Sequence, residues 1–128
     1  MVEKSVLLID DEEIILKSVN TILEQDGYKV SVASDGKSGL ELLEKSEYSL
    51  VIADLVMDGI TGIDVIRQVK QIRPETAVLA LTGCGKTSLT MESLKAGADD
   101  YILKPCTKAE LLQKVSECFA KRERENHP

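Results

Sequence analysis

The sequence predicts an α/β fold, a doubly wound parallel sheet of five strands with helices on both faces. Three observations lead to this prediction. Short runs of strand-forming residues alternate with longer segments in which apolar residues recur at helical spacing. The runs at residues 50–53 and 77–81 are apolar throughout, which is typical of parallel strands buried on both faces. The chain has 128 residues, which is the length of a single domain.

The first two strand–helix units occupy the amino-terminal third of the chain. An apolar run predicts a strand at residues 5–9, and helical spacing predicts a helix at 12–24. Residues 29–33 alternate apolar and polar side chains, which favours an edge strand. The helix at 35–45 has Ser34 or Asp35 as its cap. The inward residues predicted for the two helices are Ile14, Ile15, Val19, Ile22 and Leu23, then Leu40, Leu42 and Leu43.

The remaining units follow the two apolar strands. A helix is predicted at residues 61–72, and another at 87–96, where Gly97 ends it. A short strand at 101–103 leads into the last helix, at 107–119. The inward residues predicted for the first and last of these helices are Val65, Ile66, Val69 and Ile72, then Leu111, Leu112, Val115 and Phe119. The cap of the last helix is a capping box of Thr107 and Glu110.

The chain is predicted to be one domain at residues 1–121, followed by a charged tail or truncated linker at 122–128. Its length is sufficient to bury a core without disulfides. Three widely spaced cysteines, Cys84, Cys106 and Cys118, give no disulfide or zinc pattern and suit a reducing, cytoplasmic location.

Composition excludes several classes of function. With 22 acidic and 16 basic side chains the net charge is −6, which argues against direct nucleic-acid binding and against anionic membranes. No apolar run approaches the ~20 residues that span a bilayer. The single histidine, His127, lies in the charged tail, so catalysis by a core histidine is not expected.

Polar residues follow four of the predicted strands. In an open α/β sheet, ligands bind at the carboxyl ends of the strands, so we expect these side chains to meet. Carboxylates that lie close together repel one another, and a metal cation or a lysine among them offsets the repulsion. Hard oxygen ligands favour Mg²⁺ as that cation. Acids after a strand also occur simply as helix N-termini or turn residues. The residues concerned are Asp10, Asp11 and Glu12, then Asp54, Thr82 and Lys104.

These motifs resemble the receiver domain of two-component response regulators over essentially the whole chain. The resemblance rests on the Asp10–Asp11 pair, the segment DLVMDGITG that begins at Asp54, the segment LTG at 81–83, and AGADDYILKP at 96–105. It implies a flavodoxin-like (βα)5 fold with strand order 2-1-3-4-5.

The resemblance also implies a reaction. Asp54 would accept a phosphoryl group from a phosphohistidine of a sensor histidine kinase or phosphotransfer protein. Mg²⁺ would be bound by Asp10, Asp11, Asp54 and the backbone carbonyl of Val56. Lys104 would pair with a phosphoryl oxygen.

The resemblance further implies how the signal leaves the site. The Thr82 hydroxyl would donate to the phosphoryl group, and Tyr101 would then change rotamer, altering the surface of helix 4, strand 5 and helix 5. Gly83 would leave the phosphoryl path open, and Pro105 would follow a cis bond. Val56 and Cys84 offer no group that orients a hydrolytic water, so a long-lived phosphoryl state is expected.

The expected function is therefore a phosphorylation-dependent switch, with no enzymatic activity beyond its own phosphoryl transfer and autodephosphorylation. One alternative is a pseudo-receiver that binds partners without phosphorylation. A magnesium-dependent phosphatase would need a second acid at the position of Val56, and an FMN-binding flavodoxin would not place acids after strand 1. A homodimer linked to phosphorylation is compatible with the resemblance. The downstream partner, the cognate kinase and the roles of Cys84 and Cys106 stay open.

Overall fold

The computed structural model describes residues 4–83 and 88–126, which form one sheet and the helices that cover it. The strands are β1 (Ser5–Ile9), β2 (Lys29–Ala33), β3 (Leu50–Asp54), β4 (Ala77–Thr82) and β5 (Asp100–Leu103). The helices are α1 (Glu13–Gln25), α2 (Gly36–Lys45), α3 (Gly62–Ile72), α4 (Ser88–Ala96) and α5 (Lys108–Asn126). Cys84 and His127, and residue 87 at which a helix is predicted to begin, lie outside the described residues.

The sheet is parallel throughout, in the order β2-β1-β3-β4-β5. This confirms the predicted strand order and the edge position of β2, where Val32 is 42 % exposed. The apolar strands β3 and β4 lie inside the sheet, and every residue of both is buried. Both faces of the sheet are therefore covered, as continuous apolar strands require.

Alternate residues of each strand point into two separate cores, which makes the fold doubly wound. In β1, Leu7 and Ile9 belong to the core that α2, α3 and α4 cover, whereas Val6 and Leu8 belong to the core that α1 and α5 cover. The helices present their apolar stripes to these cores, as helical spacing predicts. The described helical residues that are fully or nearly buried in this way include Leu23, Leu43, Val65, Ile66, Val69, Leu111 and Val115.

Polar caps fix the helix starts that the sequence predicts. Asp35 is the N-cap of α2 and accepts a hydrogen bond from the backbone N–H of Ser38 at 2.7 Å. At α5, the N–H of Glu110 donates to Thr107 Oγ1 at 3.1 Å, and the N–H of Thr107 donates to Glu110 Oε1 at 3.2 Å. These bonds satisfy backbone donors that a helix start leaves without intrahelical partners.

Two predictions about helices are wrong. Ile14 is 80 % exposed rather than inward, because it lies in the first turn of α1; Leu16 packs against the core instead. Helix α5 runs to Asn126 and not only to Phe119. Its added turns are rich in Lys, Arg and Glu, which favour helix, and Lys121 contacts Asp99 at 3.1 Å. The boundary at residue 121 between domain and tail stays a prediction.

Asp35 offers a test of the capping account. Its pKa is lowered chiefly by the hydrogen bond from the Ser38 N–H, so its contribution to stability is present above its ordinary pKa. That contribution is lost as the pH falls through the lowered folded-state value. We expect Asp35→Ala to lower the thermal unfolding midpoint by a few degrees at neutral pH.

Asp35→Asn is the matched control, because asparagine caps a helix without titrating. Its midpoint should stay near that of the original chain at neutral pH, whereas in acid the midpoints of the original chain and Asp35→Ala should converge as the contribution of the Asp35 carboxylate is lost. A midpoint for Asp35→Ala equal to that of the original chain in calorimetry would contradict the capping role.

Candidate functional site

Three carboxylates and one ammonium meet at the carboxyl edge of the sheet. Lys104 Nζ lies 3.3 Å from Asp10 Oδ2, 3.3 Å from Asp54 Oδ2 and 3.1 Å from Glu12 Oε1. The side chains of Asp10 and Asp54 are 0 % and 5 % exposed, and that of Lys104 is 15 % exposed. Only Glu12, at 61 %, faces solvent broadly. The group is a charged cluster whose floor is buried and whose outer side is open.

Parallel strand pairing brings these residues together. The backbone hydrogen-bond ladder continues past the strand ends, since the N–H of Asp10 donates to Ala33 O at 3.2 Å. In the same way, the N–H of Lys104 donates to Thr82 O at 2.8 Å. The Lys104–Pro105 peptide bond is cis, as expected. Asp10 and Lys104 are therefore held to the neighbouring strands by backbone hydrogen bonds.

Backbone donors hold the carboxylates in fixed orientations. The N–H of Glu12 donates to Asp10 Oδ1 at 2.9 Å. The N–H of Val56 donates to Asp54 Oδ1 at 3.3 Å, while Asp54 Oδ2 faces Lys104. Each buried carboxylate thus has one oxygen bound to backbone and the other directed at the ammonium.

The positive charge of Lys104 is not sufficient to neutralise the carboxylates of the cluster. Burial, and after it the negative charge of Asp10, raises the pKa of Asp54, despite the opposing effects of Lys104 and the Val56 N–H. Burial would lower the pKa of Lys104, but its contacts with Glu12, Asp54 and Asp10 outweigh burial and raise it. Three acids facing one cation leave a negative excess that a divalent cation would neutralise.

The donor set fits a hard cation. One oxygen each from Asp10, Glu12 and Asp54 lies within 4.8 Å of the others. Carboxylate oxygens at this spacing match the ligands that Mg²⁺ takes, with water completing its coordination. Of the residues predicted to bind Mg²⁺, Asp10 and Asp54 belong to this group. Asp11 does not: it is exposed, and its Oδ2 accepts a long hydrogen bond of 3.4 Å from the N–H of Asp58.

The other predicted site residues lie around this cluster. Thr82, the last residue of β4, is 2 % exposed, and Gly83 beside it is exposed. Tyr101 on β5 is half-buried and pairs in register with Ala80 of β4. Val56 has an exposed side chain. The roles predicted for these residues stay predictions.

Glu12 is among the side chains that the sequence predicts to meet at this edge, but it has no role in the predicted metal binding or phosphoryl transfer. The acidic run after β1 indicated that a carboxylate would stand there, but the run does not reveal which acids turn inward. Asp10 is buried at the sheet edge, Glu12 is the N-cap residue of α1, and Asp11 between them is exposed. Side chains alternate between two sides along extended backbone, so this alternation is the signal that could have placed Glu12 on the same side as Asp10.

Gly62 braces the backbone beneath the site. A Cβ atom at this position would collide with the Asp54 carbonyl oxygen and lie 2.5 Å from the Cα of Leu55. The N–H of Gly62 also donates to Leu55 O at 3.3 Å. Helix α3 therefore begins directly against the strand end that holds Asp54, and glycine permits the approach.

Comparison with known proteins identifies the family. The family model described as "Response regulator receiver domain" matches residues 6–116. The chain belongs to this family. Receiver domains are signalling switches, and they bind Mg²⁺ at an acidic pocket.

Curated relatives are response regulators. The chain is 35 % identical over 109 residues to the transcriptional regulatory protein DltR of Streptococcus agalactiae, covering 85 % of this chain and 49 % of DltR. It is 32 % identical over 121 residues to the response regulator SaeR of Staphylococcus epidermidis, covering 94 % of this chain and 52 % of SaeR. The chain thus spans about half the length of these relatives.

Solved receiver structures share the fold closely. A CheY-like receiver domain protein from Methanospirillum hungatei superposes with a TM-score of 0.92 at 32 % identity, covering 97 % of this chain and 99 % of that one. CheY4 of Vibrio cholerae gives 0.87 at 27 % identity, covering 91 % and 99 %. Among the described residues, no helix is both long and apolar enough to cross a membrane.

Gly62→Ala tests the bracing of the site. Because the added methyl group meets backbone and not a flexible side chain, we expect it to destabilise the fold by about 1–3 kcal/mol. It should also shift the backbone amide resonances of Asp54 and Leu55. At Gly83 an added Cβ meets nothing within 4 Å, so Gly83→Ala should leave the free energy of unfolding nearly unchanged. Equal stability of the two variants in denaturant titrations would refute the bracing role.

Proposed function

We propose that this chain is a phosphorylation-dependent switch in which Asp54 accepts a phosphoryl group from a phosphohistidine. The observation that carries the proposal is the buried Asp54 carboxylate, held by a backbone N–H and facing Lys104 at 3.3 Å. The donor would be a sensor histidine kinase or a phosphotransfer protein, since curated relatives are response regulators. We place the reaction in the cytoplasm.

Asp54 is the nucleophile of the proposed reaction. A carboxylate oxygen forms a bond to phosphorus while the bond between phosphorus and the donor imidazole nitrogen breaks, and the electron pair leaves with the imidazole. The product is an aspartyl phosphate. Lys104 donates to one phosphoryl oxygen, and the Thr82 hydroxyl donates to another. Gly83 adds no side chain to the path of the incoming group.

The acidic residues around Asp54 provide the cation site. Asp10, Asp11, Asp54 and the carbonyl of Val56 are the proposed ligands, with Asp10 acting directly or through water. When bound, Mg²⁺ supplies the positive charge that lets an anionic carboxylate and an anionic phosphoryl group approach each other. The negative excess of the cluster supports a cation beside Asp10 and Asp54.

The proposed output surface is formed by α4, β5 and α5. Thr82 ends β4 and pairs in register with Leu103 of β5, two residues after Tyr101, so a movement of Thr82 toward the phosphoryl group would act on the strand that holds Tyr101. A rotamer change of Tyr101 would then alter the surface that a downstream domain, a partner protein or a second copy of the chain reads. This is a local charge event that biases an element with two arrangements.

Labelling with a small phosphodonor tests the phosphoacceptor. With Mg²⁺ and acetyl phosphate, we expect Asp54→Asn to reduce incorporation of labelled phosphate to background, because an amide is a poor nucleophile. Asp58→Asn is the matched control, an exposed acid nearby, and should be labelled normally. Chelation of the metal should abolish labelling of the original chain. Label that persists in Asp54→Asn would refute the proposal, and an unlabelled original chain that binds no Mg²⁺ would favour the pseudo-receiver.

The lifetime of the aspartyl phosphate is a separate prediction. Neither Val56 nor Cys84 carries an amide or acid that could orient water for hydrolysis, so the phosphoryl group should persist for many minutes or longer. Replacing Val56 by asparagine should shorten the lifetime several-fold. The decay of labelled protein after removal of the donor measures this, and a half-life of seconds would contradict it.

A further inference from the structure

Glu12 lies beside the proposed phosphoryl site without a role in the reaction described above. Its Oε1 is 3.1 Å from Lys104 Nζ, closer than either Asp10 or Asp54. Its side chain is 61 % exposed, whereas those two carboxylates are buried. Glu12 therefore holds the solvent side of the ammonium, from which a phosphoryl group must approach Asp54.

The place of Glu12 in α1 indicates that its side chain does not serve the helix. Glu12 is the N-cap residue, yet its side chain makes no capping hydrogen bond. Serine, threonine, aspartate and asparagine are the residues preferred for capping. Its backbone N–H donates to Asp10 Oδ1 at 2.9 Å, which fixes the residue at the site. The carboxylate is left to contact Lys104.

We propose that Glu12 is a positioning residue that holds Lys104 on the solvent side of Asp54 and competes with the phosphoryl group for the ammonium. The inference rests on the proposed function. The ligands proposed above for Mg²⁺ include Asp10 and Asp54 but not Glu12, so Glu12 is the partner of Lys104 that a phosphoryl oxygen would replace. Since both are negative, the contact of Lys104 with one weakens its contact with the other. Glu12 thereby sets the phosphodonor concentration at which labelling is half-maximal.

Glu12→Gln tests the competition through labelling kinetics. Initial rates are measured against acetyl phosphate concentration at fixed Mg²⁺. We expect the half-saturating concentration to fall about two- to fivefold, the range of an exposed ion pair, with a smaller change in the maximal rate. Glu13→Gln removes the same charge from the next residue, whose carboxylate pairs with Lys17 at 3.2 Å. This control should leave the curve unchanged.

A second measurement reads the contact directly and without turnover. In the phosphodonor-free protein, with and without Mg²⁺, the NMR signals of the Lys104 Cε and Nζ atoms should shift in Glu12→Gln and not in Glu13→Gln. In a Lys104→Ala background, Glu12→Gln should no longer change the half-saturating concentration.

The outcomes separate this inference from the proposed function. Unshifted Lys104 signals in Glu12→Gln would overturn the inference. So would a Glu12→Gln effect on labelling that is equal with Lys104 and in the Lys104→Ala background, because it would indicate general repulsion of the donor. If the original chain takes no label at Asp54, the proposed function fails instead, and the NMR signals still report whether Glu12 holds Lys104.

Discussion

The interaction on which the site depends is the contact of Lys104 with the buried carboxylates of Asp10 and Asp54. Two unit charges about 4 Å apart interact by roughly 4 kcal/mol at an effective dielectric constant near 20. Asp10 is fully buried, so water contributes little to its stabilisation, and the ammonium must offset the repulsion between the acids. Glu12 adds a third negative charge, so three carboxylates face one ammonium, and a divalent cation would neutralise the negative excess. The metal binding and phosphoryl transfer proposed for this edge follow from this excess of negative charge.

The topology of the sheet determines which residues belong to this charged cluster. Strands β1 and β3 are neighbours, so Asp10 and Asp54 emerge side by side. Lys104 follows β5, and β4 lies between it and Asp54. The lysine therefore extends across the end of β4, where Thr82 is located. A long side chain is needed at this position, and the buried Thr82 lies at the same edge. Parallel strands joined by helical crossovers deliver all of these groups to one rim.

Patterns within short sequence segments are sufficient to predict most of the helices and strands. Apolar strands, helical spacing and capping residues are properties of short segments, and the strands lie within one residue of their predicted bounds. The placement of Asp10, Asp54, Thr82 and Lys104 at one edge also follows from strand ends. Ile14 could not be placed correctly, since helical spacing does not reveal where a helix extends beyond its sheet. The contact of Glu12 with Lys104 depends on side chains 92 residues apart and on the rotation of the chain after β1.

The central claim is that the Asp54 carboxylate becomes an acyl phosphate, and reductive trapping tests it most directly. Borohydride reduces an aspartyl phosphate to homoserine, which leaves a mass change at one residue. After phosphorylation with acetyl phosphate and Mg²⁺ followed by reduction, peptide mass spectrometry should find homoserine at position 54 and unmodified Asp at positions 10, 11 and 58. Homoserine at another position, or a phosphate that survives reduction on a hydroxyl or an imidazole, would contradict the account.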